Sequence, residues 1–519
     1  MYRFPLAIVS GLALWLAFPS HDLWALAPVG VALLALATRG ASGWQGALLG
    51  LVSGLSCFLP LLSWSGIYVG ALPWIALAVL ESCYIALLGM ACALLQRGRS
   101  PDGLARVRPM VVALAWVAQE LLRDNTPFGG FPWGRLAFSQ ADSPLAGLAA
   151  LGGAPAVTFG VALAGGCLGA GVARLMGGRR PAGQSGIPRD GVLRGLVRGA
   201  PSLLCAVAVV VLPVLVPRPV DGPTARFMAV QGNVPRPGLD FNAERRAVLD
   251  NHAKATLKAA GEVQAGEQPQ PDLVVWPENA SDIDPLRNPD AAAVINGAAD
   301  AIRAPLIVGA VLQEPRPYVS NASLMYLPGQ GLTAQYIKQH PVPFAEYIPY
   351  RSFFRHFSDK VDLVASDFKA GTSPGVFRVP ARDGSTIAAG PIICFEVAYD
   401  GLMRDTVDQG ANVLLVQTNN ATFGFSDESV QQLAISRIRA IEHGRSIVHV
   451  STVGVSAMIT PDGTAHQTSA LFTSDVLAAD LPLRANRTLA DRVGAWPEYL
   501  AGGGLAMMLV LLGRRRRRR

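Results

Sequence analysis

The sequence predicts a polytopic α-helical membrane domain of about eight transmembrane helices joined to an α/β domain. Three observations predict it. The 519 residues are 51% hydrophobic and only 16% charged, against roughly 25% charged in soluble domains. The deficit is uneven: residues 1 to about 220 are apolar and poor in acids, whereas about 222 to 490 resemble an ordinary globular domain. Residues 499–513 are uncharged again, and Arg514 to Arg519 close the chain. The expected organisation is a seven-helix membrane domain over 1–217, an α/β domain over 218–498, a last helix over 499–513 and a basic tail over 514–519.

Residues 4–20 are uncharged and just long enough to span. Ala25-Leu26-Ala27 resembles a signal-peptidase site, but cleavage there would leave 28–38, too short to cross. An uncleaved first helix followed by a second over 23–38 is therefore expected. Residues 40–80 carry no charge, which suits two spans broken near Leu59-Pro60 to Gly66, the second running past Glu81 to about 96. A short fifth span over 110–122 carries Glu120. The sixth is expected over 144–173, the seventh over 201–216 and the eighth over 500–513. Glu81 and Glu120 are ionisable at membrane depth, where such groups are costly and often functional. A position near a helix end, within reach of headgroups or Arg123, accounts for them equally well.

Loop charge orients the helices. Alternate loops carry Arg39, then Arg97, Arg99, Arg106 and Arg108, then Arg179, Arg180, Arg189, Arg194 and Arg198. The opposite loops have only Arg123 and Arg135. With the basic side cytoplasmic, seven spans place 218–498 outside the cytoplasm. The pI of about 9.2 is thus a topology signal, and no nucleic-acid partner is expected.

Between the seventh and eighth spans, short apolar runs alternate with helical stretches. Strands are expected over 226–231, 272–276, 305–311, 322–327, 386–393, 412–417, 446–451, 455–460 and 475–480, and helices over 243–261 and 428–443. Pro461-Asp462-Gly463-Thr464 marks a hairpin turn. The pattern is an α/β domain of mixed sheets covered by helices.

Chemistry gathers at three strand ends. One apolar run ends in Trp276-Pro277-Glu278. A second, Tyr336-Ile337-Lys338, precedes His340-Pro341-Val342-Pro343-Phe344-Ala345-Glu346-Tyr347. The third ends in Ile392-Ile393-Cys394-Phe395-Glu396. Five of the six cysteines (Cys57, Cys83, Cys92, Cys167 and Cys205) lie in apolar stretches; Cys394 alone lies in the polar part. A free cysteine is more often a small buried hydrophobe than a nucleophile, and Glu278 or Lys338 alone has an equally plain structural reading. Together they make a nucleophilic catalyst. A glutamate in a low-dielectric pocket takes the thiol proton. A lysine favours the thiolate and stabilises an oxyanion, and the thiolate forms an acyl thioester. Were the last strand to continue, Cys394 and Glu396 would share a face.

In that order these motifs resemble the nitrilase (carbon–nitrogen hydrolase) superfamily. The resemblance implies a nitrilase-like αββα sandwich with a Glu-Lys-Cys triad. With seven helices before and one after, the chain is similar to the apolipoprotein N-acyltransferase family. Gly130-Phe131-Pro132-Trp133-Gly134 with Ser139-Gln140, Val230-Gln231-Gly232-Asn233-Val234-Pro235 and Arg437-x-Arg439-Ala440-x-Glu442-x-Gly444-Arg445 add to the match. The resemblance implies Glu278 as proton acceptor, Lys338 as oxyanion stabiliser, Cys394 as nucleophile, and Glu346 and Glu396 as supporting carboxylates, with no cofactor and no metal. It implies a phospholipid acyl donor and a diacylglyceryl-modified apolipoprotein acceptor, both reached from the membrane. Two positions depart from the family pattern: Phe395 stands where Tyr is frequent, and Thr422 replaces Trp in Asn419-Asn420-Ala421-Thr422-Phe423-Gly424. The second bears on how a lipid pocket or lid is lined. Two other readings stay open: a membrane-tethered amidase acting on a small amide, and a lipid-binding or transport protein with a non-catalytic outer domain.

Overall fold

The computed structural model describes residues 2–96, 106–177, 189–235 and 244–517. Arg97, Arg99, Arg179, Arg180 and the Gly177–Pro188 loop, apart from Gly177 itself, lie outside these residues, as does Ala243. The chain divides into two compact units, one of Met1–Gly66, Gly70–Pro217 and Leu489–Arg519, the other of Ile67–Val69 and Arg218–Thr488.

The first unit is helical: α1 (Arg3–Leu16), α2 (Leu26–Thr38), α3 (Gly43–Leu61), α4 (Ala71–Leu95), α5 (Pro109–Arg123), α6 (Ala149–Gly177) and α7 (Arg189–Val211). Five segments among the described residues are long and apolar enough to cross a membrane: Gly43–Leu61, Ala71–Leu95, Pro144–Met176, Val197–Leu215 and Trp496–Arg515. Arg3–Leu16 and Leu26–Thr38 are shorter apolar helices. The first helix therefore stops four residues before the expected end, and Ala25-Leu26-Ala27 opens α2. Ser42 starts α3 as a capping box, its hydroxyl accepting from the Gln45 amide and its own amide donating back to the Gln45 side chain. α3 ends where the break was expected. Small residues let helices touch backbone to backbone: a Cβ on Gly46 would lie 2.4 Å from the Gly89 carbonyl oxygen.

Glu81 and Glu120 are both buried in this unit. Glu81 on α4 accepts from Arg123 on α5 at 2.9 Å. Glu120 accepts from the Leu136 amide at 2.9 Å and the Thr158 hydroxyl at 2.8 Å, with Arg135 at 3.5 Å. The guanidinium of Arg123 also donates to the Trp133 carbonyl. Both glutamates thus have partners, and the network ties α4, α5 and α6 to the Gly130–Ser139 motif.

The second unit holds two six-stranded sheets. Its strands are β1 (Thr224–Gln231), β2 (Leu273–Val275), β3 (Leu306–Leu312), β4 (Ser320–Leu327), β5 (Gly331–Ile337), β6 (Phe377–Pro380), β7 (Thr386–Ile393), β8 (Val413–Thr418), β9 (Ser446–Ser451), β10 (Ala457–Ile459), β11 (Ala465–His466) and β12 (Asp475–Pro482). The orders are β12-β1-β2-β3-β4-β5 and β11-β10-β9-β8-β7-β6. The helices are α8 (Arg245–Gln264), α9 (Pro289–Ile302), α10 (Arg351–Phe354), α11 (Asp400–Asp408) and α12 (Glu428–His443). α13 (Leu489–Val493) and α14 (Trp496–Arg517) belong to the helical unit, α14 starting earlier and ending later than expected.

Alternation along the strands builds the layers. Phe227 and Val275 point into a core shared with Ile387, Ile393, Leu415 and Val448 of the other sheet. Met228 and Val274 point the opposite way, onto Leu249 and Ala253 of α8 and Ile295 of α9. With α11 and α12 against the second sheet, this is an αββα sandwich, and its central strands read as continuous apolar runs because both faces are covered. β5, of which only the end at Tyr336-Ile337-Lys338 was expected, is a half-exposed edge strand with weak alternation, and α9, which had no forecast, is rich in alanine on every face. β10 and β11 pair antiparallel across the expected Pro461–Thr464 turn.

Candidate active site

Glu278 follows β2, Lys338 follows β5 and Cys394 follows β7. The sandwich brings all three together. Lys338 Nζ lies 3.3 Å from Glu278 Oε1 and 2.9 Å from the Glu346 carboxylate. The Glu278 and Lys338 charges both act on the Cys394 thiol. Lys338 and Glu278 are buried, Cys394 partly so.

The placement of Glu278 rests on close packing. The Gln417 amide donates to the Trp276 carbonyl at 2.6 Å and the Thr452 hydroxyl to the Glu278 carbonyl at 2.8 Å. A Cβ at Gly309 on β3 would meet the Pro277 carbonyl oxygen at 2.2 Å and Glu278 Cα at 2.6 Å. Asn321 on β4 donates to Glu278 at 2.7 Å and to Glu346 at 3.1 Å, bridging the two carboxylates that share the lysine. Glu346 is further held by the Val342 amide at 2.7 Å.

The strand does not continue past Ile393, so Cys394 and Glu396 do not share a face. Cys394 adopts a left-handed backbone, φ 54°, and opens a tight turn over Cys394–Ala398. A non-glycine residue there costs of order 1–3 kcal/mol and persists only where its surroundings impose it. Glu396 is one such constraint. Its buried carboxylate accepts from the amides of Ile393 at 2.8 Å and Gln339 at 2.7 Å and from the Tyr336 hydroxyl at 2.9 Å, stapling the cysteine turn to the end of β5. Arg439 on α12 is the other, donating to the carbonyls of Val397 at 2.9 Å and Ala398 at 2.6 Å and pairing with Asp400.

Burial dominates the electrostatics. It pushes the Glu278 carboxyl up, against the Lys338 charge. It drives the Cys394 thiol well above its ordinary range, with the Glu278 charge adding and Lys338 opposing. Burial also works against the Lys338 ammonium, but the charges of Glu346 and Glu278 outweigh it and hold that group well above its usual value. Burial thus favours the neutral thiol at Cys394, beside a fixed Lys338 cation.

Residues 10–167 match the N-terminal domain of apolipoprotein N-acyltransferase, and residues 229–490 match carbon-nitrogen hydrolase. The chain is 41% identical over 500 residues to the apolipoprotein N-acyltransferase of Mycolicibacterium smegmatis, covering 94% of this chain and 81% of that protein. It belongs to the apolipoprotein N-acyltransferase family. A second family member, from Photobacterium profundum, is 28% identical over 519 residues, covering 96% and 92%. An amidase of the nitrilase superfamily from Nesterenkonia AN1 is 18% identical over 50% of this chain and 92% of its own, with a TM-score of 0.37. The chain is accordingly a membrane-associated acyltransferase, and all five residues singled out in the sequence fall within the carbon-nitrogen hydrolase match.

Sequence reasoning missed Asn321 and also Gln432, whose Nε2 lies 3.6 Å from Cys394 Sγ. Asn321 had a faint signal, a polar residue inside the otherwise apolar Ala322–Leu327 run's approach. Gln432 had none, since a glutamine in a helix is ordinary.

Proposed function

We propose that the chain transfers a fatty acyl chain from a membrane phospholipid, through a thioester on Cys394, to the α-amine of the N-terminal S-diacylglyceryl-cysteine of apolipoproteins. The observation that carries this reading is the buried Glu278–Lys338–Cys394 cluster at three strand ends, in a chain whose likeness to the family runs through its helices as well.

Cys394 Sγ attacks the ester carbonyl carbon as its proton passes to Glu278. Lys338 stabilises the tetrahedral oxyanion, a role in which one lost donor typically costs roughly 100- to 1000-fold. Collapse breaks the ester C–O bond, and the leaving alkoxide takes the proton from Glu278 to depart as a lysophospholipid. The lipoprotein amine then attacks the thioester carbonyl and gives a proton to Glu278. The C–S bond breaks, the amide forms, and the thiolate recovers the proton. Glu346 holds Lys338 in place, and Glu396 holds the cysteine turn. Both substrates are bilayer-anchored. Exposed Phe344, Tyr350, Phe353 and Phe357 flank Glu346 on one segment, an apolar surface suited to acyl chains. The arginine asymmetry supports a site on the extracytoplasmic side of the bacterial plasma membrane.

Intact-mass measurement after mixing the protein with phospholipid alone tests the first half: an acyl adduct is expected on the wild type and none on Cys394→Ala, with folding unchanged. Cys394→Ser should be nearly inactive. Adding a diacylated lipopeptide should convert the adduct to amide. Free fatty acid as the product would favour the hydrolytic alternative, and full transfer by Cys394→Ala would end the triad reading.

A further inference from the structure

We infer that Gln432 is a further catalytic residue, presenting an amide N–H to Cys394 Sγ, and that Asn420 is the positioning residue that fixes which end of that amide faces the sulfur. The inference rests on the cysteine being the nucleophile.

Gln432 Nε2 lies 3.6 Å from Cys394 Sγ. A glutamine amide is ambiguous in principle, since its oxygen and nitrogen are interchangeable in shape. Here a chain of hydrogen bonds removes the ambiguity, and it starts at a backbone amide, which can only donate. The Gly454 N–H donates to Ser451 Oγ at 2.7 Å. The Val453 N–H donates to the same oxygen at 3.4 Å, so both lone pairs are engaged and the Ser451 hydroxyl donates to Asn420 Oδ1, as does Thr418 Oγ1 at 2.7 Å. Asn420 Oδ1 is thereby the acceptor, and its Nδ2 faces the other way. That nitrogen donates to Glu428 Oε2 at 2.6 Å and to Gln432 Oε1 at 3.0 Å. Gln432 Oε1 is in turn the acceptor, so Nε2 is left toward the sulfur. Asn420 is 2% exposed, and Gln432 and Ser451 are fully buried, so water does not supply alternatives. Gly454 is part of the device: a Cβ there would meet Asn420 Oδ1 at 2.2 Å and Ser451 Oγ at 2.7 Å.

The direction matters because the sulfur changes charge. As a thiol, Cys394 accepts from the Gln432 amide. As a thiolate it keeps the same N–H, which becomes a charge-assisted donor. The charged and titratable groups acting on the sulfur are Glu278, Lys338 and Glu428. Glu428 is a carboxyl that burial raises to about 8, and above that pH its charge opposes the thiolate. A reversed amide would put a carbonyl oxygen against the thiolate and repel it.

The test is the rate of Cys394 alkylation by iodoacetamide against pH, on full-length protein in detergent, with thermal melting alongside. The other cysteines are followed separately by peptide mass. Gln432→Met removes the donor at similar volume. The expected result is a higher pH midpoint for alkylation and adduct formation slowed roughly 10- to 100-fold, the worth of a hydrogen bond to a charged group. Asn420→Asp does not touch the sulfur, but it replaces the nitrogen that fixes Gln432 by an acceptor. It should reproduce the shift, and it decides the matter if Gln432→Met does not fold. An unmoved midpoint in a folded variant overturns the inference, whatever happens to stability. The alkylation readout needs no lipid, so a wild type that alkylates normally but forms no acyl adduct would count against the proposed function and not against this chain of donors.

Discussion

Lysine is scarce in this chain: of 44 basic residues only Lys254, Lys258, Lys338, Lys360 and Lys369 are lysine. One of the five is the buried cation shared by Glu278 and Glu346. An ammonium is a compact point charge, whereas a guanidinium is a wide planar fork. A pocket closed around the former by Asn321 and two carboxylates misplaces the latter, and an ångström of misplacement costs on the order of 100-fold. Lys338→Arg is therefore expected to be severely impaired in single-turnover adduct formation although charge is kept, and Lys338→Met to be worse. Lys254→Arg and Lys258→Arg on α8 serve as near-neutral controls. A wild-type adduct rate in Lys338→Arg would reduce Lys338 to a bystander charge. At this scale the sequence was readable where a residue type is rare or ends an apolar run, as with Cys394, Glu278 and Lys338. It was silent on Asn321, Asn420 and Gln432, because an amide signals nothing until its partners from other strands are in place.

Elements were legible in proportion to how fully they are buried. β7, β9 and α12 fall where the apolar runs and helical spacing put them, whereas only the end of edge strand β5 was read and alanine-rich α9 escaped, since neither shows strong contrast between faces. β7 ends at Ile393 as expected, and contacts from the end of β5 and from α12 hold the turn that follows it. Strand-to-strand packing also sets Glu278. Gly309 on β3 leaves no room for a methyl group beside Pro277 and Glu278. Gly309→Ala should cost about 1–3 kcal/mol of stability, the usual range for overpacking, and slow adduct formation by more than that stability loss implies. Gly297→Ala on α9, where a Cβ meets nothing within 4 Å, should be neutral or slightly stabilising. Thermal melting and adduct rates on both variants check this, and an unaltered rate in Gly309→Ala would show that the β2–β3 contact does not position the glutamate.

For the whole molecule, hydropathy marked the apolar helical stretches and the alternating runs a mixed α/β domain, while the αββα layering was implied by the family resemblance. Sidedness is the property most open to direct test. A cysteine introduced at Gly183–Ser185 should be shielded from an impermeant thiol reagent in intact cells, and one near Gln264 at the end of α8 should be labelled. The reverse pattern would sink the extracytoplasmic assignment.

The Glu81–Arg123 pair has a consequence for biogenesis. α5 is only 15 residues long and carries buried Gln119, Glu120 and Arg123, so its rise of roughly 22 Å falls short of a hydrocarbon core of about 30 Å. Each charged side chain near a helix centre adds roughly 2.5–3.5 kcal/mol to insertion through the translocon. α5 leaving the translocon alone would meet lipid with its charges bare, whereas α4 brings the counter-ion in Glu81. The two helices are expected to enter as a hairpin. In a glycosylation-site insertion assay, α5 behind a leader should stay out of the bilayer and the α4–α5 pair should go in; efficient entry of α5 alone would show that its charges need no escort.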